Sequence, residues 1–158
     1  MSSDASAFLR HTLATLAYRG GKAVRDVPPD FSSFRAGPGS RTAGEILAHI
    51  GDLLDWAVSL ARGEQKWEPR APQEWAADVK RFHEGLATLD EYLRSEAPLG
   101  SPAEKLFQGP IADALTHVGQ IAILRRLAGG PVKGENYHRA EISTGRVGAD
   151  QAKAIREF

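Results

Sequence analysis

The chain contains no cysteine, which excludes disulfides, thiolate metal ligands and a protein-borne cysteine nucleophile. Any thiol chemistry would need a thiol supplied from outside. An excess of charge is lacking as well, since 20 Lys and Arg stand against 20 Asp and Glu. No global field of either sign draws the protein to a polyanion, so neither nucleic acid nor a membrane is expected as a partner. A run of about 18 apolar residues, the length needed to span a bilayer, occurs nowhere. The start, Met1-Ser-Ser-Asp-Ala-Ser6, has neither the basic opening nor the apolar core of a signal peptide, and a cytoplasmic location is the resulting expectation.

What is present is helical periodicity. The 158 residues suit one domain with one core, residues 1–158, and no internal repeat is evident. Ala5, Phe8, Leu9, Thr12, Leu13 and Leu16 recur every three or four positions, which predicts a first helix from about Asp4 to Tyr18, ended by Gly20-Gly21. Pro28, Pro29, Gly37, Pro38 and Gly39 make residues 22–40 a long crossover rather than a tight hairpin. Thr42 followed by Glu45 is a capping-box signature, and Ile46, Leu47, Ile50, Leu53, Leu54, Ala57, Val58 and Ala61 continue a second helix that stops at Gly63. Trp75, Val79, Phe82, Leu86, Leu89 and Leu93 form the cleanest apolar seam, on a third helix.

Pro110 suits the first turn of a fourth helix, where its missing N–H costs nothing, and Gly129-Gly130-Pro131 stops that helix. Apolar residues lie on two of its sides, which predicts a central position. Residues 132–158 show no sustained period beyond a short helix expected from Asp150 to Arg156, and this tail is expected to pack over one end. The fold class is therefore all-α: a four-helix bundle with a long first crossover and an irregular C-terminal tail.

Three residues stand out chemically. Asp113 and His117 are four apart on one helix, so their side chains share a face and could bind one cation; the plainer role is a hydrogen bond or a solvated helix face. His49 lies beside the core stripe of the second helix, where an unpaired imidazole is costly. Its partner is either a backbone carbonyl or a nearby carboxylate, Glu45, Asp52 or Asp55, or else the Asp113–His117 pair across the bundle, with a coordination position left open. Gln120, one turn beyond His117, could orient a ligand or donate to a substrate. His138, in the tail, is a lesser candidate ligand, and His11 and His83 read as surface or boundary residues. Trp56, Trp67 and Trp75 read as packing groups, Tyr137 could cap a pocket, and Arg125-Arg126 reads as a solvated helix end.

The segments Ala48-His49-Ile-Gly-Asp52-Leu-Leu-Asp-Trp56 and Asp113-Ala-Leu-Thr-His117-Val-Gly-Gln120-Ile-Ala-Ile-Leu-Arg125 resemble the DinB-like superfamily, which is related to the YfiT-type metal-dependent hydrolases. The likeness covers nearly the whole chain in helix order, and His117-Val-Gly-Gln120 carries it most specifically. It implies an up-down-down-up bundle and a divalent metal, often nickel or zinc, held by three histidines. Activities in the family include transferases and isomerases that use a low-molecular-weight thiol such as mycothiol or bacillithiol. His49 and His117 match two of the three ligands, whereas the third position holds Asp113. Two histidines and a carboxylate hold catalytic zinc or non-haem iron in other folds. The exchange lowers the site's charge by one, which makes bound water less acidic or shifts the preferred metal.

The expectation is thus a metal-dependent enzyme in which nickel, zinc or iron activates water or a small thiol for hydrolysis or transfer on an unidentified small-molecule substrate. A non-catalytic small-ligand-binding or stress-response module with a structural or vestigial metal is the rival. A third reading is a dimeric scaffold, a homodimer in which a seam such as Trp75 to Leu93 packs between chains.

Overall fold

A computed structural model describes residues 4–158 of the chain; the first three residues lie outside it, with the opening of the segment read above for a signal peptide. The described residues are all-helical, with four long helices, and their β-structure is confined to an isolated bridge between Glu135 and Glu157. The long helices are α1 (Asp4–Val24), α2 (Ala43–Ala61), α3 (Trp75–Arg94) and, after the short α4 (Ala103–Leu106), α5 (Ala112–Leu127). None is long and apolar enough to cross a membrane.

Each boundary has a local cause. Thr42 Oγ1 accepts from the Glu45 N–H at 3.1 Å while Glu45 Oε2 accepts from the Thr42 N–H at 2.7 Å, so the capping box that starts α2 is complete. Gly63, at φ 81°, leaves that helix in the left-handed region glycine tolerates best. The expected stop at Gly20-Gly21 is not made, because α1 runs on to Val24. Both glycines are buried against α3, and a Cβ on Gly20 would lie 2.6 Å from Phe82 Cζ. These glycines therefore serve close helix packing instead of termination.

Pro110 also stands differently from expectation, since the chain is already helical from Ala103. It sits inside a π-helical turn, Phe107–Ile111, that joins α4 to α5. Proline lacks an N–H and its ring collides with the carbonyl four residues back, and widening the helix locally relieves both problems.

Contacts along the helices fix their directions. Gly51 meets Arg81 and Gly85 meets Leu54, so α2 and α3 are parallel. Arg10 pairs with Asp90 while Gly20 meets Phe82, so α1 and α3 are antiparallel. Gly109 lies beside Trp56 and Asp113 beside His49, so α2 and α5 are antiparallel as well. The order is up, down, down, up, with α1 and α2 at diagonal corners. Leu13, Leu16, Leu47, Ile50, Leu54, Phe82 and Leu86 fill the shared core. The α3 seam from Phe82 to Leu93 lies inside this core.

Parallel α2 and α3 need a return strap. Residues 62–74 run back along α2, fastened by the Lys66 N–H to Ser59 Oγ at 3.0 Å and the Arg70 N–H to Asp52 Oδ1 at 3.0 Å. Asp52 and Asp55 also accept from the buried Arg81 at 2.8 and 2.7 Å, tying α3 to the same face.

The tail runs along α1 rather than over one end of the bundle: Thr144 reaches His11, Val147 reaches His83, and Glu135 accepts from the Tyr18 hydroxyl at 2.5 Å. No helix forms from Asp150 to Arg156; the Arg156 carbonyl instead accepts from the Asn136 N–H at 2.9 Å, and the Phe158 N–H donates to Gly134. Arg125 departs most from the sequence reading. It is buried, and its guanidinium donates to the carbonyls of Lys22, Ala23, Arg25, Asp26 and Gly130. The last turn of α1 leaves carbonyls without intrahelical partners, and Arg125 satisfies those of Lys22 and Ala23, with two in the bend that follows, from α5, so it is not the solvated helix end expected of it.

Candidate metal centre

Antiparallel packing of α2 and α5 sets the middle of one helix against the start of the other. His49 sits two turns into α2, Asp113 in the first turn of α5, and His117 one turn later on the same face. His49 Nε2 lies 3.6 Å from Asp113 Oδ2, and His117 Nε2 lies 3.3 Å from Asp113 Oδ1. The three ligand atoms are all within 4.8 Å of one another. Two donors sharing a tetrahedral cation at about 2.1 Å stand about 3.4 Å apart, close to the two histidine–carboxylate separations, each made to a different oxygen of Asp113.

The alternative partners of His49 are engaged elsewhere. Glu45 folds back to cap α2, while Asp52 and Asp55 are held by Arg81, with Arg70 beside Asp55 at 3.6 Å. His49 instead faces His117, ring to ring at 4.7 Å and nearly perpendicular.

His117 is oriented by its neighbour one turn on: Nδ1 lies 2.7 Å from Gln120 Oε1. A carboxamide oxygen only accepts, so Nδ1 is the donor in this contact and Nε2 is the nitrogen turned toward Asp113 and His49. Burial, together with the nearby His117 and Arg41, holds the His49 pKa below the usual histidine value, against an opposing pull from Asp113. The imidazole is therefore neutral near pH 7, the form that binds a cation.

The cluster is buried on the imidazole side and open on the carboxylate side, with the His117 side chain 10% exposed and that of Asp113 46% exposed. Two hollows flank it. One, of about 350 Å³, is bounded by Ala36, Arg41, Ile46, His117, Gln120 and Leu124. The other, of about 480 Å³, is bounded by Arg41, Glu45, His49, Asp52, Trp67 and Arg70. Trp67 rides on the return strap and stands edge-on to His49 at 5.9 Å and to Trp56 at 5.7 Å. Such a surface can hold a cation with an unprotected position and admit a small molecule from two sides.

The remaining candidates lie elsewhere. His138 is exposed in a 3-10 turn of the tail, outside the cluster. Tyr137 packs on Tyr18 and under Arg19, so it does not cap these hollows. His11 is exposed beside Thr144, and His83 is half-buried against the Val147 carbonyl. Trp75 packs on Phe31 and donates to the Val24 carbonyl. Sequence reasoning did not single out Arg41, and it assigned Trp67 no place at the site. Both reach it from irregular segments, where periodicity gives no signal.

Comparison with protein-family models, with curated proteins and with solved structures gives no match to the chain.

Proposed function

We propose that this chain is a DinB-like metal-dependent enzyme in which His49, Asp113 and His117 hold a divalent cation, nickel, zinc or iron. The observation that carries the reading is the convergence of those three ligand atoms within 4.8 Å. The up-down-down-up order and the bond between Gln120 and His117 support it in turn. When bound, the cation would act as a Lewis acid and favour the deprotonated form of a water or low-molecular-weight thiol near neutral pH. The chain's own residues do the rest. His49 offers a neutral lone pair, Gln120 fixes the tautomer of His117, and Asp113 lends a negative charge on the open side. Trp67 covers His49 at the edge of a hollow that takes a small-molecule substrate.

Elemental analysis of protein purified without added metal tests this. Near-stoichiometric nickel, zinc or iron is expected in the parent chain, with loss in His49→Ala and His117→Ala; equal content in all three would overturn the reading. Cobalt-substituted protein whose visible spectrum shifts on addition of a small thiol would favour the enzyme over a closed structural site.

A further inference from the structure

We propose that Arg41 is an anion-recognising residue, and that the molecule taken up beside the metal centre carries a carboxylate. The proposal rests on the metal-site reading for where chemistry occurs, and it adds what the site selects. Arg41 ends the first crossover, immediately before the Thr42 cap, and borders both hollows that flank the cluster. No other residue borders the two together.

Arginines nearby are already used: Arg81 by Asp52 and Asp55, Arg70 by Asp55, Arg125 by the end of α1. Arg41, by contrast, makes no hydrogen bond or ion pair among the described residues, and Glu45, the carboxylate closest in sequence, is committed to capping. A planar guanidinium left free at the mouth of a hollow is suited to bidentate carboxylate recognition.

The charge count points the same way. A divalent cation with Asp113 as its one anionic ligand keeps a net positive charge and Arg41 adds another; Glu45 beside the second hollow takes one away and Asp52 is paired with Arg81, so the balance stays positive and an anionic guest is favoured over a neutral one. The apolar part of that guest is placed by Ala36, Ile46, Ile123 and Leu124, which line the 350 Å³ hollow beyond Arg41.

Hexanoate and hexanamide, alike in shape and different in charge, form the test pair. Their binding is read from the fluorescence of Trp67, with Trp67→Phe as the control for the source of the signal, in metal-free and cobalt-loaded protein. The parent chain is expected to prefer hexanoate. In Arg41→Gln that preference should fall about tenfold, as loss of a charge-assisted hydrogen bond implies, and Arg41→Lys should restore part of it. Arg41 is exposed and unpaired, so these variants should fold as the parent does. An unchanged preference in Arg41→Gln, or no response to either probe, would overturn the proposal. Absence of cobalt uptake would overturn the metal reading alone, and the metal-free titrations would still decide the role of Arg41.

Discussion

Gln120 Oε1 accepts the His117 Nδ1 proton at 2.7 Å, and this one bond decides which imidazole nitrogen faces Asp113 and His49. Without it the ring could turn, or take the tautomer that presents an N–H to the cation. Groups that orient a metal-bound histidine are worth about 10–100-fold in metal affinity. Gln120→Leu is expected to weaken zinc binding by that factor, measured by competition with a chromogenic chelator, and Gln120→Glu to retain most of it. Gln120 is exposed on α5, so the thermal midpoint of Gln120→Leu without metal should stay close to that of the parent.

Arg125 yields a prediction about stability. Its five backbone acceptors include two carbonyls in the last turn of α1 and two just beyond it, and its side chain comes from α5, so it joins two helices that are adjacent in space and far apart in sequence. Arg125→Met would keep much of the packing and leave the buried carbonyls of Lys22 and Ala23, and the part-buried ones beside them, unpaired. A loss of about 2–4 kcal/mol is expected in urea unfolding, from the cost of several unsatisfied groups. Arg126→Met, one position on and exposed, should stay within about 0.5 kcal/mol.

The contrast between these two arginines marks what the sequence could convey. Elements whose cause is local were legible: the α2 cap, the α3 seam and the crossover each follow from residues a few positions apart. Asp113 and His117 were legible as a pair for the same reason, and His49 as a costly core histidine in need of a partner. Arg125 capping a helix about a hundred residues earlier leaves no local trace, nor do the strap that carries Trp67 over His49 and the buried face that carries α1 through Gly20-Gly21. In each case a distant contact overrode local propensity.

Gly20 tests that last point directly. Alanine is the better helix former by about 1 kcal/mol, so propensity alone would make Gly20→Ala stabilising. The new methyl would lie 2.6 Å from Phe82 Cζ and 3.3 Å from Val118 Cγ2, and the Phe82 ring is stiff and fully buried. Overpacking of about 1–3 kcal/mol outweighs the helix gain, so Gly20→Ala should lower the urea midpoint. Gly119→Ala on α5 meets nothing within 4 Å and should raise it.

His83 supplies a pH dependence away from the candidate metal centre. Burial lowers its pKa below the usual 6.5, and the bond to the Val147 carbonyl only partly offsets that. In the unfolded chain the imidazole titrates near its ordinary value of about 6.5, so in the window just below that pH the unfolded state binds more protons. Stability should therefore be complete above the unfolded value and be lost as pH falls through the folded one. His49, lowered in the same direction, contributes with the same sign in metal-free protein. Urea midpoints of metal-free protein at pH 7.5 and pH 5 should differ less in His83→Gln than in the parent. Carboxylates titrate alike in both chains, so the difference between the two slopes belongs to His83. An identical slope would mean that the imidazole reaches water in the folded state, and that the tail around Val147 does not shield α3 as its packing implies.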